Sequence, residues 1–142
     1  MAGPTANKTL LWLVAGRNPK ARAQAIDTLL HERPVHGKTT LLANSELFSV
    51  LSVEEQAQVF EADQALKAQG IHLLRLAPGC ACCSSKLLLS THLGRTLRLN
   101  QPDWLILELD SQSHVTQVQA LLSEPQWQPW FSEVLLKEGN DG

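Results

Sequence analysis

No charge of one sign dominates this sequence. Its formal net charge is -2 over 142 residues, with 18% charged residues. No global field therefore favours nucleic acid or an acidic membrane surface. Long apolar runs are also missing. The longest near the start, "LLWLVAG", is too short to span a bilayer. It also makes a poor secretory leader, because no small-residue cleavage signature follows closely and Arg17, Lys20 and Arg22 come at once. Internal repeats and low-complexity segments are absent. Cysteine is scarce: there are three, all between positions 80 and 83. An odd, clustered set makes a poor disulfide framework, and adjacent cysteines bridge only with strain. A reducing cytoplasm fits that usage best.

What remains is ordinary globular material, 44% hydrophobic and long enough for one domain with one core. "KTLLWLVAG" reads as a strand buried on both faces. A helix is expected over Ala21 to Arg33, where Ala25, Ile26, Leu29 and Leu30 keep helical spacing and Pro34 ends the run. "KTTLLANS" is a second strand. Ser52 to Gly70 is the clearest helix, with a Ser52/Glu55 capping box, a Val59, Ala62, Leu66 stripe and a terminal glycine. "IHLLRLA" gives a third strand, and Ser84 or Ser85 caps a helix to about Leu99. "DWLILEL" is a fourth strand, Val115 to Leu122 a short helix, and "WFSEVLL" a last strand. The alternation predicts an α/β fold: a mostly parallel, doubly wound sheet of about five strands with helices on both faces. Residues 1–8 and 137–142 are expected to be flexible tails around a single domain, 9–136.

Ligands of such sheets gather beyond the carboxyl ends of the strands. The first candidate there is a phosphate loop, G-x-x-x-x-G-K-[ST] between a strand and a helix. "HGKTT" supplies Gly37-Lys38-Thr39, but Glu32 stands where the first glycine is needed, and a helix end precedes it. A helix-to-strand turn with Gly37 at positive φ is the better reading. The correct position is "VAGRNPKARAQA". Gly16 fits the first glycine. Ala21 replaces the second, Arg22 replaces the lysine, Ala23 lacks a hydroxyl for magnesium, and Pro19 deletes an N–H. Losing two or three charge-assisted hydrogen bonds, roughly 1.5–3 kcal/mol each, weakens binding by about 10²–10⁶-fold. Arg17, Lys20 and Arg22 form either an anion-attracting helix start or a solvated basic turn.

The second candidate is "LAPGCACCSS". Thiolates are soft ligands for zinc, Cu(I) and similar ions, and a following helix would lower their pKa. Cys80, Cys82 and Cys83 leave zinc one position short, so water, a partner or another side chain must complete it. His36, His72, His92 and His114 are possible donors, each more simply a surface or half-buried residue. Inert buried cysteines and a redox thiol site are the competing readings.

These residues carry a resemblance to a known family. "LAPGCACCSS" resembles the G-C-x-C-C metal motif of the CobW family of P-loop GTPases and metallochaperones. "PDWLILELDS" resembles its Walker B strand, with Glu108 at the acidic position and Ser111 where a glycine is expected. "TTLLANSE" resembles its second strand and switch start, with Ser45 where an acidic residue often sits. The likeness runs from about Thr9 to Leu136 and implies a degenerate P-loop GTPase-like domain. Gly16 and Glu108 are the residues it leaves at a degenerate nucleotide site. The guanine-reading N-K-x-D element and the family's C-terminal domain have no counterpart here. The resemblance therefore implies metal handling, of zinc or a similar soft metal, by Cys80, Cys82 and Cys83, and argues against GTP, magnesium and hydrolysis.

Trp12 and Trp104 are expected in the core. Trp127 and Trp130 either cover it or mark a partner surface, and the last strand is a candidate edge in need of cover. Glu108 and Asp110 read as the rim of the sheet, with no base or nucleophile opposite. The expected function is a non-hydrolysing, metal-binding protein of metal homeostasis or metallochaperone type. The alternatives are a pseudo-GTPase subunit that pairs with an intact relative, and a weak nucleotide binder. The metal ion is the expected ligand, with a protein partner or a second copy allowed, and no nucleic acid or membrane.

Overall fold

The computed structural model describes residues 8–76, 86–109 and 113–139. Five strands, β1 (Thr9–Ala15), β2 (Thr39–Asn44), β3 (His72–Leu76), β4 (Trp104–Glu108) and β5 (Phe131–Glu138), alternate with four helices. These are α1 (Pro19–His31), α2 (Val53–Ala68), α3 (Lys86–Arg95) and α4 (Ser113–Leu122). The strands form one sheet in the order β3-β2-β4-β1-β5, with every pairing parallel.

Alternation along each strand explains the two layers. In β1, Leu11, Leu13 and Ala15 point to one face and join Leu105 and Leu107 of β4, with Leu89, Leu93 and Val118 from α3 and α4. Val14 points to the other face and joins Leu41, Ala43 and Ile106, covered by Ala25, Ile26, Leu29 and Leu30 of α1. Both faces are therefore filled, as an all-parallel sheet requires. Among the described residues, no helix is long and apolar enough to cross a membrane.

Several elements depart from expectation in instructive ways. α1 begins at Pro19, two residues before the periodic stripe, because proline fixes φ for a first turn and Asn18 caps it. The helix after the cysteine segment passes at Thr96–Asn100 into a π turn, which ends at Gln101 with φ 46°. β5 runs through Glu138, two residues past the expected domain boundary. Trp12 and Trp104 are half-buried and meet edge to face, centroids 6.4 Å apart, over the α1 layer. Trp127 is buried, and Trp130 packs beside it. In α2 the stripe is weak: Val59 and Leu66 are half-buried and Ala62 is exposed. The buried residue is Asp63, whose two oxygens accept Arg75 Nε at 2.8 Å and Nη2 at 3.0 Å. α2 thus docks through an ion pair, above a cavity of about 220 Å³ shared with α1 and the sheet.

Gly37 settles the "HGKTT" question. Its φ is +122°, and a Cβ there would stand 2.7 Å from Asp103 Oδ2. The Lys38 N–H donates to that carboxylate oxygen at 2.8 Å. The segment turns the chain from α1 into β2 at the amino end of the sheet, opposite the rim where a phosphate loop belongs.

Candidate functional site

The carboxyl rim is built by the ends of β1, β2, β3 and β4. β1 leaves the sheet at Gly16, with φ +141°, and α1 starts three residues later. Little open loop is left between them. Three positions at the start of α1 offer no uncommitted amide to an anion. Pro19 has none, the Lys20 N–H donates to Asn18 Oδ1 at 2.9 Å, and the Arg22 N–H donates to the Asn18 carbonyl at 3.0 Å. Gly139, just past β5, donates its N–H to the Ala15 carbonyl at 2.7 Å. It lies so close to α1 that a Cβ on it would stand 3.0 Å from Ala21 C and Arg22 N. Only glycine fits there without displacing backbone.

Arg22 turns inward from the second turn of α1 and is fully buried. Its Nε donates to Glu108 Oε2 at 2.8 Å, Nη1 to the Gly16 carbonyl at 2.6 Å, and Nη2 to Glu46 Oε1 at 2.9 Å. This overturns the solvated basic turn for Arg22. The same arginine answers Glu108, which has a cation against it after all. The second oxygen of Glu108 accepts the Asn44 N–H at 3.0 Å. Asn44 Oδ1 in turn accepts the Glu46 N–H at the start of the following 3₁₀ turn, and the Asn44 carbonyl accepts Arg75 Nη1. The network ties four strand ends together.

Its electrostatics follow from burial. Loss of water pushes the Glu108 carboxyl above the usual range, while the Arg22 guanidinium and the Asn44 amide pull it back only in part. Burial also works against the Arg22 charge, but its hydrogen bonds to Glu108 and Glu46 outweigh that and hold its pKa above the ordinary value. Fixed fork geometry suits arginine to this work, since it can hold two carboxylates and a carbonyl at once.

Glu46, Asn44, Arg75, Asp63 and Gly139 were not singled out by the sequence reading. The Arg22 placement did leave a signal: it precedes Ala25, Ile26 and Leu29 by three, four and seven residues, on the stripe facing the sheet.

Cys80, Cys82 and Cys83 lie outside the described residues. Chain order sets them between the end of β3, on the carboxyl rim, and the start of α3. His36 and His72 stand at the amino ends of β2 and β3, away from that rim, and His92 is half-buried within α3. The His114 side chain and Asp110 also fall outside the described residues. Among the described residues, no three His, Cys, Asp or Glu side chains gather where a metal ion could be held.

The family model of the CobW/HypB/UreG nucleotide-binding domain matches residues 36–137. The chain belongs to this family. The match takes in the cysteine segment and Glu108 but begins after Gly16 and Arg22, so the altered loop lies outside it. Over 103 residues, 67% of its length, the chain is 38% identical to the zinc chaperone YeiR of Escherichia coli strain K12. It spans 31% of that relative's length. No solved structure matches. The all-parallel five-stranded sheet is consistent with a P-loop GTPase-like domain of the CobW type.

Proposed function

We propose that this CobW-family chain binds zinc, or a similarly soft ion, through Cys80, Cys82 and Cys83, and handles it as cargo in a cytoplasmic metallochaperone role. In this reading it does not hydrolyse GTP. The metal half is supported by the donor set, three thiols within four residues, and by the similarity to a chaperone named for zinc. A fourth ligand comes from water, another side chain or the receiving protein. That open position suits delivery, because a ligand from the acceptor can enter before the thiolates let go.

The nucleotide half rests on one observation: the Arg22 guanidinium is seated on the Gly16 carbonyl and the Glu108 carboxylate. A phosphate site needs inward N–H groups, a free cation and a carboxylate able to hold magnesium. Here the glycine presents a carbonyl, and Arg22 binds the carboxylate itself. These residues do not fit nucleotide with magnesium.

Two measurements separate the halves. Cobalt(II) added to the reduced chain should give thiolate charge-transfer absorption that Cys82→Ser or Cys83→Ser removes; an unchanged spectrum contradicts the metal site. Titration with a fluorescent guanine nucleotide should show no micromolar, magnesium-dependent binding. Such binding would overturn the nucleotide half and leave the metal half standing.

A further inference from the structure

A groove of about 450 Å³ lies between α3 and the turn that leads into β5. It sits at the amino end of the sheet, away from the carboxyl rim, because the π turn leads into β4 and Trp130 into β5. The residues that line it fall between 90 and 130, inside the family-matched range. Three features gathered here each cost the chain locally. Gly94 stands inside the helix that α3 and the π turn make together, and glycine is a poor helix former. The π turn is itself an unfavourable winding, and it closes on Gln101 in the left-handed region, φ 46°. Trp127 is buried, and among the described residues its indole N–H has no hydrogen-bond partner. Costs of this kind gather at functional sites.

Arg98 joins these features. A Cβ on Gly94 would stand 3.3 Å from Arg98 Nη2 and 3.6 Å from Cζ and Nη1. The guanidinium therefore lies folded back along the helix, in the room a larger residue at 94 would take. Arg98 is the one charged residue among those lining the groove. Among the described residues, no carboxylate pairs with it. Trp127 and Trp130 bring aromatic surface to the groove from the other element.

We infer that this groove binds a small ligand that carries one carboxylate on a flat apolar body. Its volume falls within the range of about 300–1,000 Å³ usual for small-molecule sites. The carboxylate pairs with the Arg98 fork, one charge against one. The apolar body lies against Trp127 and Trp130, and an acceptor on the ligand is the partner that the Trp127 N–H lacks. Inorganic phosphate fits less well, since it brings about two negative charges to one cation and has nothing for the aromatic wall. The site is separate from the thiols, so its failure leaves the metal reading untouched.

Titration of the full reduced chain with benzoate, followed by the indole N–H resonances of its four tryptophans, tests this. Trp127→Phe identifies the signal of Trp127. That signal should shift saturably with benzoate, and more weakly with benzyl alcohol or inorganic phosphate. Arg98→Gln should weaken benzoate binding by about tenfold or more, as the loss of a charge-assisted pair requires. Gly94→Leu puts a side chain where the guanidinium lies, so it should also weaken binding while the unfolding midpoint holds or rises. An unmoved Trp127 signal overturns the proposal. So does benzyl alcohol or phosphate binding as tightly as benzoate, or an affinity for benzoate that Arg98→Gln leaves unchanged.

Discussion

Arg22 carries a full charge where no water reaches, and Glu108, Glu46 and the Gly16 carbonyl are among the acceptors that hold it. Removing one member of a buried pair leaves the other uncompensated. Arg22→Met should therefore destabilise the fold by about 3–5 kcal/mol at pH 8. The sign with pH follows from Glu108, whose folded pKa is raised by burial and rises further without the guanidinium. Such a group supports the fold below its unfolded pKa and loses that support as pH rises through the folded value. The deficit of Arg22→Met should thus shrink as pH falls, in urea unfolding at a series of pH values; a deficit constant with pH contradicts the account. Reading the sequence by motif placed Arg22 at the lysine position of a phosphate loop, in either an anion-attracting helix start or a solvated basic turn. Its spacing from Ala25, Ile26 and Leu29, which that reading did not use, puts it on the buried face instead. Those apolar neighbours fix which face of α1 meets the sheet, and a charge on that face must find partners.

At the scale of elements, α2 shows a local signal read fully and a tertiary one missed. The Ser52/Glu55 capping box is present in both directions, at 2.9 and 3.1 Å. The Ser52 backbone N–H, the Ser52 hydroxyl and then the nearby Lys20 charge hold the Glu55 carboxyl below the usual range. Its contribution is present above the ordinary carboxylate pKa and fades as pH falls through the lowered value. Amide exchange of the first turns of α2 should quicken in acid, and Glu55→Gln should remove that pH dependence. A wild-type profile retained in Glu55→Gln would count against the cap. The missed part is how α2 docks. An apolar stripe was expected, but Asp63 and Arg75 lie twelve positions apart on different elements, and nothing local links them. The strands were legible because both faces are buried and their apolar runs are continuous. The altered first loop was legible as a loss of glycine and lysine. Its replacement by a salt-bridge network needs Glu46 and Asn44, which meet Arg22 only in the folded sheet.

For the whole molecule, two separate parts of one rim differ in character. The β1 end is closed by Arg22, Glu108 and Gly139. The β3 end leads into three thiols inside the family-matched range. The fold class follows from alternating strands and helices, and family membership from the sequence match. Metal handling is the function we propose for it. Its most direct test is metal stoichiometry of the chain purified anaerobically, before and after a competing chelator, beside Cys80→Ser, Cys82→Ser and Cys83→Ser. The account predicts about one zinc equivalent per chain, as a three-thiolate site holds, and loss of that zinc in each variant. A reduced wild-type chain that retains no ion, or variants that keep the full complement, would contradict it.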